Sequence, residues 1–245
     1  MKRHLMTKVL AASLGFPLPV MFLAPCLVLA GCGSENVFEV FDPPNNKQRG
    51  ESALARGDYD EAIASLESAL KANPNDPETR KMLANAYMSK SGVDTLKILQ
   101  TISEKQDQTD WGVLITSMPS GDAANQQRLQ RAVAVLGAIP AASRTQEERY
   151  QMAMAQTSLA VVTAKKYGVD EQGKVASDKV DQVTDADAVV IFGQLGGASE
   201  NLTGVEDSGA QSAAAKIGGV VGKMNEAPGA TTGDKVRSFL AAGSS

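Results

Sequence analysis

Residues 57–76 read Gly-Asp-Tyr-Asp-Glu-Ala-Ile-Ala-Ser-Leu-Glu-Ser-Ala-Leu-Lys-Ala-Asn-Pro-Asn-Asp, and their apolar members dictate one kind of structure. Ala62, Ile63, Leu66, Ala69 and Leu70 fall on a single stripe of an α-helix. Asp58 stands where an N-cap side chain accepts the first free amides. Pro74 disfavours helix at the residue before it and closes the segment. Ala62 and Ala69 are the small members of that stripe. A short helix with one apolar stripe cannot bury that stripe alone.

The same signals return further along. Pro77-Glu78 opens a second helix, and Leu83, Ala84 and Tyr87 supply its apolar positions. With Gly50, Ala53 and Leu54 on a preceding helix, this arrangement resembles the tetratricopeptide repeat, whose units recur about every 34 residues. The likeness is close from Asp58 to Tyr87 and extends from Arg49 to Leu99. Asn46 and Arg49 stand where the family places Trp and Leu, and the pattern fades after Gly92 although Leu96, Ile98 and Leu99 are apolar. The resemblance implies helical hairpins stacked into a superhelix. In that geometry the first helix of each unit lines the concave groove, so Lys47, Glu51 and Leu54, then Glu78, Lys81, Asn85 and Met88, face a partner. Lys81 and Asn85, one turn apart, resemble part of the basic clamp with which some family members hold a C-terminal carboxylate. Glu51 would oppose an anion there, and a generic peptide or helix groove is the simpler expectation.

Helical spacing persists to the end of the chain. Ala124, Leu129, Ala132, Val133 and Leu136 line one face of a segment that starts near Ser120-Gly121-Asp122. Thr145 and Glu148 form the pattern of a capping box before Met152, Ala155, Leu159 and Val162. Lys165-Lys166 suit that helix's C-terminus. Thr184 precedes a helix through Ala188, Ile191 and Leu195, although residues 188–192 are β-prone in isolation. Ala210, Ala213, Ala214, Ile217, Val220 and Met224 repeat at helical spacing, and a last helix is expected over 234–242. Glycines between Gly193 and Gly233 leave this third either ordered by packing or partly loose. The fold class is therefore all-α: a tetratricopeptide-like α-solenoid of four to five hairpins, degenerate in its C-terminal half.

The N-terminus carries a different signal. Lys2, Arg3 and Lys8 precede an uncharged run from Val9 to Ala30, which ends at Leu29-Ala30-Gly31-Cys32. These four residues resemble the lipobox of bacterial prolipoproteins, in which the cysteine is acylated and the chain is cut before it. A basic start, an apolar middle and small residues at the cut describe an export signal. The competing reading is a membrane-spanning helix, against which Pro17, Pro19 and Pro25 argue. The division expected is a cleaved signal over 1–31, a lipidated tether over 32–46, repeats over 47–110 and a degenerate helical region over 111–245. Two or more acyl chains on Cys32 suffice for stable anchoring. Gly33-Ser34, with no Asp beside the cysteine, resembles the pattern sent to an outer membrane.

Beyond residue 31 the chain keeps 21 basic and 28 acidic side chains, no histidine, and no cysteine but Cys32. No Ser-His-Asp triad, thiolate nucleophile or His/Cys metal site can be assembled from it. An acidic surface with few aromatics is a poor match for nucleic acid. Gly218-Gly219-Val220-Val221-Gly222-Lys223 only superficially suggests a phosphate loop, since Ile217 and Met224 stand where Gly and Ser/Thr belong. Ala214, Gly218 and Gly222 instead suggest a small-residue ridge for close helix contact. The acids Asp170, Glu171, Asp178, Asp181, Asp185 and Asp187 lack the order of a calcium loop and suit helix caps and a solvated face. Ser68 and Lys71 are spaced like a catalytic pair but lie on the outer helix of a repeat.

The resemblances together imply a non-enzymatic scaffold without cofactor or metal. It would be held by lipid in the cell envelope, facing the periplasm, and would bind another envelope protein in a groove. A ligand-binding accessory lipoprotein of a solute transport system is the alternative, and a carboxylate-dependent envelope hydrolase is a third class.

Overall fold

The structure is a computed structural model that describes residues 45–94, 98 and 111–243. Cys32, Leu96 and Leu99 lie outside those residues. From Asn45 onward every described element is helical, with no strand among the described residues, and residues 43–245 form one unit. The β-prone run 188–192 is helix, because its neighbours Leu195 and Ala198 extend a 3.6-residue stripe that buries Ala188 and Ile191.

Helix α1 (Asn46–Arg56) begins after the double proline with a capping box: Asn45 accepts from the Gln48 amide and Gln48 accepts from the Asn45 amide. It ends on Gly57, whose φ of 75° is the left-handed cap that glycine adopts without strain. Helix α2 (Tyr59–Ala72) is capped by Asp58, which accepts from the Glu61 amide. Its stripe meets α1 where Gly50 is buried. A methyl at Gly50 would sit 2.5 Å from Leu66 Cγ, so the close approach of the two helices depends on that glycine. Helix α3 (Pro77–Lys90) starts with proline at its first turn behind the Asp76 cap. Leu83, Ala84, Ala86, Tyr87 and Met88 are all buried.

The chain continues with a short α4 (Trp111–Ser117), α5 (Ala123–Gly137), α6 (Gln146–Lys165), a single turn α7 (Ser177–Val180), α8 (Asp185–Thr203), α9 (Ser208–Glu226) and α10 (Thr232–Ala242). The main contacts run α1–α2, α2–α3, α3–α5, α5–α6 and α6–α8, after which α9 and α10 both pack on α8. Most neighbours in space are thus neighbours in sequence, as in a solenoid, up to a closing cluster built on α8. Asp122, at the expected start of α5, and Thr145 and Thr184 all accept from an amide three residues on.

Helix α6 departs from its expected single face. Every residue from Met152 to Ala164 is buried, including Gln156, Thr157, Ser158 and Thr163. The helix contacts α3, α4, α5 and α8, so no side is left for water. Lys165 also does something other than finish its own helix. Its ammonium donates to the carbonyls of Ile115 and Met118 (3.2 and 2.7 Å) and closes the C-terminus of α4.

The glycine-rich third is ordered by packing. A methyl at Gly197 on α8 would fall 2.5 Å from Gln156 Nε2, so glycine there lets α8 lie close against α6. The suggested ridge on α9 holds only in part. Gly218 faces Ser199 Oγ of α8, but a side chain at Gly222 would meet nothing within 4 Å. Trp111 is fully buried, edge-on to Phe239 of α10 at 6.2 Å, so the last helix is tied to the middle of the chain.

Candidate protein-binding groove

The expected groove residues do not form one open binding face. Glu51, Glu78 and Asn85 are exposed and Leu54 is half-buried, packed against the core. Met88 is 3 % exposed and belongs to the core, which corrects its assignment to a partner surface. Helical spacing sets Met88 close to the stripe of Ala84, which the stacking of α3 against its neighbours covers. Lys81 is not free to clamp a carboxylate from elsewhere. Its side chain is 16 % exposed, and its ammonium is paired with Glu78 at 2.8 Å and Glu147 at 3.1 Å. The hydrogen bond to Glu78, and that to Glu147, hold the Lys81 pKa above its ordinary value. Lys47 is likewise engaged, donating to Asp76 at 2.9 Å. Asn85 accepts from Ser89 Oγ at 3.4 Å.

The side chains that do gather around open space lie across α3. Arg80, Leu83 and Tyr87 recur at three- and four-residue steps, well round the helix from Lys81 and Asn85. Helix α2 on one side and α5 on the other wall a groove of about 640 Å³ over them. Leu70, Leu83 and Val135 give it an apolar floor, and Lys71, Arg80 and Arg131 stand around it. A second recess of about 500 Å³ shares Arg80 and continues past Pro77 to Ile139 and Pro140 at the α5–α6 connection.

The groove is held open by polar contacts between its walls. Tyr87 Oη donates to the Glu67 carboxylate of α2. Arg131 of α5 lies 3.7 Å from the same carboxylate and stacks 5.9 Å from the Tyr87 ring centre. Burial, and then the hydrogen bond to Glu67, raise the Tyr87 pKa, so the phenol stays a donor at neutral pH. Arg80 bridges the other end, donating to the Val135 carbonyl at 3.3 Å and the Pro74 carbonyl at 2.6 Å. These contacts are neutral, so its charge has no carboxylate partner among the described residues.

The other sequence candidates resolve separately. Residues 218–223 lie inside α9, not on a phosphate-binding loop. Ser68 Oγ donates to the Ala64 carbonyl along its own helix, while Lys71 borders the groove. The acids of 170–187 point to different partners. Asp170 accepts from the amides of Gln172 and Lys174, Asp185 pairs with Arg237, and Asp187 pairs with Lys166 and accepts from Tyr167. Among the described residues no three His, Cys, Asp or Glu side chains come together as metal ligands. No helix among them is long and apolar enough to cross a membrane.

Arg131 and Val135 were beyond sequence reasoning, since nothing near residue 131 indicates α2 or α3 as neighbours. Arg80 was within reach, because it continues the Leu83–Tyr87 stripe by one step toward the N-terminus.

The architecture is an all-α stack of helical hairpins of the tetratricopeptide-like kind. In line with it, the tetratricopeptide repeat family matches residues 53–111, a stretch that contains α2 and α3 whole. The match begins inside α1 and runs past Leu99 to the start of α4. No curated protein and no solved structure matches the chain. Residues 53–111 are thus similar to tetratricopeptide repeats, a likeness that suggests protein–protein interaction.

Proposed function

We propose that this protein is a lipid-anchored scaffold of the bacterial envelope, held by acylated Cys32, whose repeats bind another envelope protein and help assemble or stabilise a complex. The observation that carries the reading is the tetratricopeptide match over residues 53–111, with an open, apolar-floored groove formed within and beside it. An open trough suits a segment of polypeptide better than an enclosed small molecule. The anchor rests on the motif at residues 29–32 and the uncharged run before it. Attachment there would keep the groove close to the membrane and confine its search for partners to the envelope, with the outer membrane facing the periplasm as the expected site.

Two measurements test this reading. Crosslinking in native membranes, followed by identification of the captured chains, should recover a discrete envelope protein. The scaffold reading fails if folded protein captures none. In Cys32→Ser, processing should stop and lipid labelling should disappear. If the variant is processed as usual and still partitions with lipid, the anchor is wrong, whatever the groove binds.

A further inference from the structure

The groove between α2, α3 and α5 has a charge that the chain as a whole lacks. The protein carries a net charge of −4, with 28 acidic side chains against 24 basic. The groove reverses that balance: Lys71, Arg80 and Arg131 face one carboxylate, Glu67. Glu67 is already engaged by Tyr87 and Arg131. Arg80 spends hydrogen bonds on two carbonyls, which leave its charge uncompensated, and exposed Lys71 has no ion pair among the described residues. Cations around an apolar floor are matched by a ligand that brings both carboxylates and apolar side chains.

The shape narrows the class further. Arg80 lines both recesses, so the two adjoin there, and the second reaches Pro77 and the α5–α6 connection, where Glu148 lines it with its carboxylate accepting from the Thr145 amide. Ten residues of α3 at 1.5 Å each give a path of roughly 15 Å. That length holds about five residues of extended chain at 3.3 Å each. It is longer than a single inorganic anion needs, and its floor of Leu70, Leu83 and Val135 would be wasted on one.

Resting on the scaffold reading above, we infer that this groove, and not the Lys81–Asn85 face of α3, is the docking site for a short partner segment in which apolar and acidic residues alternate. Arg80 and Lys71 meet its carboxylates, Leu83 and Val135 receive its apolar side chains, and Glu67 opposes it.

The last point gives the proposal a sign that a generic sticky surface would not have. The probe is a fluorescein-labelled octapeptide of alternating leucine and glutamate, with a leucine–lysine octapeptide as its counterpart. Binding to the full chain, purified from membranes in detergent, is followed by fluorescence anisotropy. Micelle binding is common to wild type and variants and cancels in the comparison. The glutamate peptide should bind at least tenfold more tightly than the lysine peptide, and the preference should shrink as salt is raised. Lys71→Glu, an exposed change that leaves the Arg80 carbonyl contacts intact, should weaken it severalfold. Arg80→Gln should weaken it further, and Glu67→Gln should tighten it. Equal binding of the two peptides overturns the proposal, as does indifference to Lys71→Glu and Glu67→Gln in variants of wild-type helicity. Absence of any peptide binding overturns it too. If crosslinking still captures an envelope protein in that case, the scaffold stands and its docking face lies elsewhere.

Discussion

Asp76 shows how much one side chain does in this fold. Its carboxylate caps α3 through the Glu78 amide, accepts from Thr79 Oγ1 at 2.7 Å and pairs with Lys47 of α1 at 2.9 Å. Burial raises its pKa, but the hydrogen bonds from Lys47 and Thr79 outweigh that and bring it down to about 2. A carboxyl whose folded pKa lies below its unfolded value stabilises the fold above the unfolded pKa, and that stability is lost as pH falls toward the folded pKa. Asp76→Asn keeps a competent cap but loses the charge. It should therefore cost about 2 kcal/mol at pH 7, and the gap from wild type should close between pH 4 and pH 2. Urea denaturation across that range checks it, and a gap independent of pH would contradict the assignment. The cap was legible in the sequence from Asp76 directly before Pro77. Its ion pair was not, because Lys47 lies 29 residues away and only the packing of α1 against α3 brings them together.

At the scale of the element, α6 is the instructive helix. Its start was legible, because Thr145 and Glu148 form a local capping box that needs no tertiary information. Its environment was not, because Gln156, Thr157, Ser158 and Thr163 look like an exposed face until α3, α5 and α8 enclose them. Two of these hydroxyls lack a partner among the described residues, Thr157 Oγ1 and Ser158 Oγ, whereas Thr163 Oγ1 donates to the Leu159 carbonyl at 2.7 Å. A buried hydroxyl with no partner costs about 1–3 kcal/mol of desolvation. Ser158→Ala should then raise stability by about 1 kcal/mol, while Thr163→Ala should lower it by a similar amount. Opposite shifts in denaturation midpoint are the expected result, and equal losses in both variants would show that Ser158 is satisfied after all. The groove's electrostatics belong to this scale also, since Arg80, Glu67 and Arg131 come from three different helices.

For the whole molecule, the order of contacts predicts where the fold opens first. Helix α1 contacts α2 and, more lightly, α3, and stands at one end of the described stack. Helices α6 and α8 are enclosed from several sides. In a structure stacked from neighbours, the ends fray at a lower cost than the centre. Hydrogen exchange should therefore run fastest in α1, with the amides of α6 and of α8 around Ile191–Ala198 the slowest. Slower exchange in α1 than in α6 would contradict this order. The groove lies between these extremes. Its walls α2 and α5 are joined through Tyr87, Glu67 and Arg131, so it is preformed at modest cost and does not require the centre to open.

Sequence alone determined the long helices, the caps at Asp58, Thr145 and Thr184, and the repeat character of residues 58–87, because these depend on signals within a few residues: apolar spacing, a side-chain cap, a proline. It also supplied the N-terminal motif on which the proposed anchor rests. Which faces meet was decided only by tertiary structure. Met88 went to the core and Lys81 to two glutamates, while Arg80, Glu67 and Arg131 were gathered around open space. The reason is physical: a helix's periodicity marks which of its sides is apolar, but the pairing of those sides depends on how all the helices share the available buried surface at once.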